Sequence, residues 1–170
     1  NATWNRGKRS ITLHLKQPED LAIATRLMAS ADVVSENFRP GVMERLGLGW
    51  QQVSSLNPRL VYCALPGFAS DDPRAQVRAF EGVIGAAAAT YRAPTDGDDR
   101  PVYTAIPIAS NYAALQGAVS IIMALLARAR DGSGQRLEVP LFDSTFPSIG
   151  ARAMRVHDPA HIVPTPRGIW

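Results

Sequence analysis

The chain has 170 residues, of which 46% are hydrophobic and 19% are charged, a composition typical of one globular domain with a sizeable core. Its formal net charge is +3, and the cations are spread along the chain, without the dense basic runs of nucleic-acid-binding proteins. We find no apolar run of bilayer length and no N-terminal signal sequence. We therefore expect a cytoplasmic protein that binds neither nucleic acid nor membrane.

The first half of the chain alternates strand and helix patterns. Period-two alternation and β-branched residues mark the strands, while proline at a first turn and apolar periodicity mark the helices. The predicted elements are strands over 10–15, 32–36 and 59–65, and helices over 18–30, 40–46 and 50–56. The last of these strands is apolar nearly throughout, as a strand covered on both faces would be. We predict an α/β fold with a Rossmann-like, doubly wound parallel sheet.

The second half is richer in helix patterns. A polar segment over 92–100 reads as a surface loop. The predicted elements are helices over 79–90, 108–130 and 141–154, with a kink near Pro147, and a strand over 135–140. The helix over 108–130 carries apolar residues on most faces, so we expect it to be buried between layers. Residues 1–155 would form one domain segment and residues 156–170, rich in proline and without periodicity, a connector.

Residues 35–49, SENFRPGVMERLGLG, form the most informative motif of the chain. Arg39 precedes a proline, which keeps its backbone extended, and Pro40 suits the first turn of a helix. The free amide groups at that helix start would face the carboxyl end of the preceding strand and favour an anion. Arg39, Arg45 and the upstream cluster of Arg6, Lys8 and Arg9 could add positive charge. An ordinary strand-to-helix turn with a solvated arginine is the alternative.

Five segments together resemble the family III CoA-transferases, which include the L-carnitine dehydratase and bile-acid-inducible protein F group. The segments are NRGKRSITLHLKQPED (5–20), ADVVSENFRPGVMERLGLG (31–49), NPRLVYCALPGF (57–68), FEGVIGA (80–86) and GSGQRLEVPLFDS (132–144). The resemblance implies that the chain is part of a large Rossmann-like domain that binds coenzyme A, and that the connector leads to a second domain. It also implies an interlocked homodimer or a pairing with a related half.

The same resemblance assigns roles to particular residues. Asn37, Phe38 and Arg39 would line the adenine and phosphate end of the coenzyme A site, with Lys8 and Arg45 as further phosphate partners. The substrates would be an acyl-CoA and a small carboxylic acid, with coenzyme A as part of the substrate and no metal ion.

The catalytic position departs from the family pattern. In the transferases an aspartate at the start of the long helix attacks the thioester, and a carboxylate is needed for that covalent step. This chain has Ser110 and Asn111 there, and Glu81 matches an acidic position beside the thioester. The predicted function is transfer of CoA between carboxylic acids. The first alternative is a catalytically degenerate half that binds coenzyme A or supports a partner.

A second alternative is a 2-methylacyl-CoA racemase, whose histidine would fall near Phe80 and Glu81, where this chain has none. Other motifs are weaker. His157 and His161 have a metal-ligand spacing, but Pro159 between them breaks a helix and no further ligand is placed nearby. Cys63, in the middle of an apolar run, is expected to be a buried small side chain and not a reactive thiol.

Overall fold

The computed structural model describes residues 5–91, 101–103 and 105–149. The polar loop predicted over 92–100, the end of the last predicted helix and the connector over 156–170 lie outside these residues.

A parallel three-stranded sheet organises the described part of the chain. Its strands are β1 (Val33–Glu36), β2 (Val61–Ala64) and β3 (Gln135–Glu138), with β2 in the centre. The helices are α1 (Pro18–Ser30), α2 (Val42–Arg45), α3 (Trp50–Leu56), α4 (Glu81–Ala87), α5 (Ile108–Asp131) and α6 (Leu141–Ile149). The prediction of an α/β fold with a parallel sheet is confirmed.

The central strand β2 is the core of the sheet. Its four residues are all buried, which confirms the expectation from its apolar sequence. Tyr62 and Ala64 belong to a cluster with Met28 of α1 and Val53 of α3, and Trp50 meets the Tyr62 ring edge-on. Burial of such side chains contributes roughly 1.5–3 kcal/mol each. Cys63 is also buried, as predicted, and burial raises the pKa of its thiol.

The strand predicted over 10–15 is absent from this sheet. Residues 10–14 form no backbone ladder in the described structure, although Leu13 and Leu15 do pack against the cluster around Tyr62. The His14 amide instead donates to the Asp20 carboxylate at 2.7 Å, next to the first turn of α1. The alternation in SITLHL therefore reflects two anchoring leucines, because a period of two alone does not provide a hydrogen-bonding partner strand.

Helix α5 is less buried than predicted. Its buried residues are small, Ala109, Ala113, Gly117 and Ala124, whereas its large apolar residues Leu115, Val119, Ile122, Met123 and Leu126 are exposed in the described structure. The buried surface of α5 is therefore a narrow stripe of small residues, and the helix contacts α4 and α6 as well as the strands β2 and β3. By length and composition alone α5 is also long and apolar enough to cross a membrane, contrary to the sequence expectation. Core helices of soluble proteins meet the same criterion.

Candidate functional site

The carboxyl ends of all three strands lie at one edge of the sheet, because the strands are parallel. This edge is where ligands bind in open α/β sheets. The segment that follows β1 contains Asn37, Phe38 and Arg39, and the segment that follows β2 leads through residues 69–80 to α4. The SENFRPG motif therefore lies at the carboxyl edge of the sheet, as its position after a predicted strand indicated.

The turn after β1 differs from its predicted form. The helix α2 has four residues and begins at Val42, after Gly41, whose φ of 83° lies in the left-handed region that favours glycine. The prediction that a helix begins at Pro40 is therefore wrong, since Pro40 and Gly41 form a turn closed by Val42 N–H and Arg39 C=O at 3.1 Å. A helix this short has little dipole. Any anion at this turn would depend on the arginine side chains.

Two of the predicted phosphate partners lie at this turn. The half-buried Arg39 donates from Nη1 to the main-chain oxygen of Gln76 at 3.2 Å. The guanidinium of Arg45 folds back over the same turn, so that a side chain added at Gly41 would meet Arg45 Nη1 at 3.1 Å. A guanidinium has five N–H donors, which leaves both groups with donors for an anion.

The other predicted residues of this site are more dispersed. Phe38 is 45% exposed, and its amide donates to the Glu36 carboxylate at 2.7 Å, while Asn37 is exposed. Lys8 donates from Nζ to the Asn5 side-chain oxygen at 3.3 Å. The structure brings Arg39 and Arg45 to one turn, and Lys8 belongs to the segment that precedes α1.

The segment over 69–80 runs across the carboxyl edge of the sheet, and hydrogen bonds from Ser70 and Gln76 anchor it to two different parts of the structure. Ser70 donates from its amide and its hydroxyl to the Glu138 carboxylate at 2.6 and 2.9 Å. At the other side the Gln76 side chain donates to the Pro40 carbonyl at 3.3 Å, next to the bond that Arg39 makes to Gln76. These contacts connect the ends of β1 and β3 through one loop, which we call the edge loop.

An aromatic and ionic cluster supports the middle of the edge loop. The Arg74 guanidinium lies 4.3 Å from the ring centroids of both Phe68 and Phe142, a cation–π geometry. Arg74 also forms a two-pronged ion pair with Asp72 at 2.7–2.9 Å. The hydrogen bond from this guanidinium lowers the pKa of Asp72 to about 2. The fold of the loop therefore depends on Phe68, which follows β2, and on Phe142 of α6 as well as on its own side chains.

The charges at this edge are mixed. Glu36 and Glu138 lie on either side of Ala64 in the sheet register. Burial raises the pKa of Glu36, although the Phe38 amide opposes this effect. Burial would also raise the pKa of Glu138, but hydrogen bonds from Ser70 and Arg136 hold it below its ordinary value. The arginines at the turn therefore face an edge that also contains carboxylates.

Glu81 and Ser110, which are 29 residues apart, meet at the start of α5. Glu81 Oε1 accepts from the Ala109 amide at 2.9 Å, and Oε2 accepts from the Ser110 amide at 2.9 Å and from Ser110 Oγ at 2.5 Å. Ser110 is exposed and Glu81 is partly buried. Asn111 follows, and its side chain is exposed. The main-chain amide of Asn111 donates to the Pro107 carbonyl at 3.0 Å. The three residues predicted for catalysis therefore lie together.

Comparison with known proteins agrees with this architecture. The family model for CoA-transferase family III matches residues 2–168. This chain belongs to that family. An acetyl-CoA:oxalate CoA-transferase of Acetobacter aceti is 38% identical over 146 residues, which are 84% of this chain and 37% of that protein. A succinyl-CoA–L-malate CoA-transferase beta subunit of Chloroflexus aurantiacus is 34% identical over 150 residues, 85% of this chain and 36% of that subunit.

A solved structure of a CaiB/BaiF family protein from Brucella suis matches with a TM-score of 0.78 and 32% identity, over 85% of this chain and 38% of that one. The chain thus spans little more than a third of the length of each of these relatives. The resemblance read from the ENFRPG region and the other motifs is confirmed.

Sequence reasoning missed the residues of the edge loop. Ser70, Arg74 and Gln76 carry no recognisable motif, and their partners Glu138, Phe142 and Pro40 lie 36 to 68 residues away in sequence. A run of polar residues between a buried strand and a helix was the only available signal, and such a run predicts a loop without its contacts.

Proposed function

We propose that the protein binds an acyl-CoA at the carboxyl edge of its sheet and takes part in moving CoA from that thioester to a small carboxylic acid. The observation that carries this proposal is the combination of family membership with the arginine pair at the turn after β1. The relatives' names add support, since one acts on oxalate and another on L-malate. A dicarboxylic acid is accordingly the acceptor class that we favour.

In this proposal Arg39 and Arg45 bind phosphate groups of coenzyme A. Guanidinium forks suit phosphate oxygens, and their hydrogen bonds to charged groups are strong. Phe38, with 45% of its surface exposed beside these arginines, offers a face on which the adenine can stack. Asn37 supplies a side-chain amide at the same turn. Lys8 remains a predicted phosphate partner that would have to reach the turn from the N-terminal segment.

The wider architecture follows the same family. We propose that the sheet is doubly wound and Rossmann-like, because Tyr62 and Ala64 pack on the α1 and α3 side while Val61 and Cys63, also buried, alternate to the opposite face. We further propose a cytoplasmic protein that works as an interlocked homodimer or beside a related subunit, as the beta-subunit relative suggests. No nucleic acid, membrane or metal ion takes part in this proposal.

The arginine pair gives a direct test. Each arginine makes charge-assisted hydrogen bonds worth about 1.5–3 kcal/mol, so Arg39→Ala should weaken CoA binding roughly 10- to 100-fold, and adding Arg45→Ala should weaken it further. Isothermal titration calorimetry with coenzyme A on the full-length protein measures this change. Arg26→Ala, which removes an exposed arginine from α1, is the matched control and should not alter the affinity.

Two comparisons sharpen the result. Arg39→Lys keeps the charge but loses the fork, so it should bind CoA with an affinity between those of the wild type and Arg39→Ala. An unchanged dissociation constant in the Arg39→Ala, Arg45→Ala double variant would refute the proposed phosphate site. Transfer of CoA from acetyl-CoA to oxalate or L-malate, followed by chromatography of the CoA esters, tests the reaction itself.

A further inference from the structure

The start of α5 carries a side-chain arrangement that the proposed function leaves unexplained. The Glu81 carboxylate reaches across from α4 and receives three hydrogen bonds from Ala109 and Ser110. We propose that Glu81 is the covalent nucleophile of the CoA transfer, and that Ser110 positions its carboxylate. This inference rests on the proposed function, because it names the group through which CoA would pass.

The chemistry of the intermediates favours the carboxylate over the hydroxyl. A carboxylate that attacks a thioester forms an acid anhydride, which a thiolate opens readily. A hydroxyl forms an ester, which is less reactive than a thioester and would hold the acyl group. Ser110 Oγ also donates a hydrogen bond to Glu81 Oε2 in the structure, and a carboxylate is too weak a base to deprotonate an alcohol. Ser110 therefore serves better as a hydrogen-bond donor than as an acyl carrier.

The hydrogen-bonding pattern also indicates which oxygen would attack. An ionised carboxylate has about four lone-pair sites. Glu81 Oε2 accepts two hydrogen bonds and Oε1 accepts one, among the donors of the described residues. Oε1 therefore has the freer lone pair and is the attacking atom in this proposal. Oε2 stays bound to the Ser110 amide and hydroxyl, which can stabilise negative charge on it when the Glu81 carboxyl carbon is itself attacked.

The proposed reaction balances without any further reactant. Glu81 Oε1 forms a bond to the acyl carbon, the carbon–sulfur bond of the thioester breaks, and CoA leaves as a thiolate. The thiolate then attacks the Glu81 Cδ atom, the anhydride opens and the first acid leaves as a carboxylate. Glu81 now carries CoA as a thioester. The second acid reverses both steps with its own carboxylate, which produces the new acyl-CoA and restores Glu81.

Trapping the intermediate is the primary test, since it requires no variant. The full-length protein is incubated with acetyl-CoA, quenched in acid and analysed by intact mass. The expected species carries CoA as a thioester, and borohydride reduction followed by peptide mapping should convert the side chain of residue 81 to an alcohol. An adduct mapped to any other residue, including an acetyl ester on Ser110, would overturn the inference.

Variants supply an independent test. Glu81→Gln keeps the shape but cannot form the anhydride, so CoA transfer should fall by at least about a thousand-fold, and no adduct should form. Ser110→Ala should still form the adduct on Glu81, with kcat lowered by about 10- to 100-fold because one donor is lost. Glu19→Gln changes an exposed carboxylate on α1 and should leave the activity unchanged.

The outcomes separate this inference from the proposed function. Wild-type transfer with an equally active Glu81→Gln variant would reject Glu81 and leave the transferase function standing. Absence of transfer and of any adduct in the wild-type protein, assayed with oxalate and L-malate as acceptors, would reject both. CoA binding by calorimetry on Glu81→Gln should remain at the wild-type level, which shows that the variant is folded and that the defect lies in chemistry.

Discussion

Gly134→Ala is expected to destabilise the fold through a backbone collision. Gly134 lies directly before β3, and a Cβ atom added there would stand 2.0 Å from the Leu60 carbonyl oxygen and 2.6 Å from the Arg59 carbonyl carbon. A carbon and a carbonyl oxygen approach to about 3.3 Å. The chain before β3 must therefore retreat by roughly 1 Å from the chain before β2. No side-chain rotation relieves this contact, because both neighbours are main-chain atoms.

The magnitude follows from what that displacement would break. The Gly134 amide donates to the Pro58 carbonyl at 2.8 Å, and the next residue, Gln135, pairs with Val61 in the β2–β3 register. One lost hydrogen bond costs about 1 kcal/mol, and overpacking of a tight contact costs about 1–3 kcal/mol. We therefore expect Gly134→Ala to lower the free energy of unfolding by about 2–4 kcal/mol.

Urea unfolding of the full-length protein measures this loss. Trp50, whose ring packs 6.3 Å from Tyr62 of β2, provides a fluorescence signal near the displaced strands. Gly117→Ala is the matched control, because among the described residues its added Cβ would meet only the terminal methyl Cδ2 of Leu65, at 3.3 Å. This substitution should also stabilise the helix by up to about 1 kcal/mol through helix propensity. Equal unfolding free energies for Gly134→Ala and the wild type would refute the reasoning.

Two further predictions concern the hydroxyl of Tyr62 in β2 and the carboxylate of Asp72 in the edge loop. The Tyr62 hydroxyl is buried and has no hydrogen-bond partner within the described residues. Tyr62→Phe should therefore leave the free energy of unfolding in urea unchanged or raise it by up to about 1–2 kcal/mol. A decrease of more than about 1 kcal/mol would show that the hydroxyl has a partner and would contradict this prediction. Asp72, whose pKa is lowered to about 2 by Arg74, should stabilise the fold above pH 4 and lose that contribution as the pH falls toward 2. Thermal melts from pH 2 to 6 should show this loss in the wild type and not in Asp72→Asn, and identical acid profiles would contradict it.

Local patterns predicted much of the fold because their causes are local. Pro18 and the helical periodicity after it marked α1, which runs from Pro18 to Ser30 as predicted. The apolar strand over 59–65 matched a strand, Val61–Ala64, that is buried at every residue. Strand boundaries were predicted one or two residues too wide, since β1 begins at Val33 and β3 ends at Glu138. Backbone pairing, which sets those limits, leaves little trace in composition.

The predictions failed where the structure of a segment depends on a second element that packs or pairs with it. The SITLHL segment alternates as a strand would, but no neighbouring strand pairs with it in the described structure. The apolar helix α5 was expected to be buried on most faces, yet Leu115 and Met123 are 64% and 65% exposed, and its buried residues are alanines and a glycine. Hydropathy gives the amount of apolar surface on a helix. It does not say which face meets another element.

The sequence by itself determined the family, and a motif directly after a short strand placed Arg39 at the carboxyl edge of the parallel sheet, where we propose that coenzyme A binds. It also showed that residue 110 is a serine. Only the tertiary structure shows that the Glu81 carboxylate lies within hydrogen-bonding distance of Ser110. The two residues are 29 positions apart in sequence, and they meet where the first turn of α4 lies beside the start of α5. Contacts between residues so far apart in sequence depend on how the helices pack, and no local sequence pattern specifies that packing.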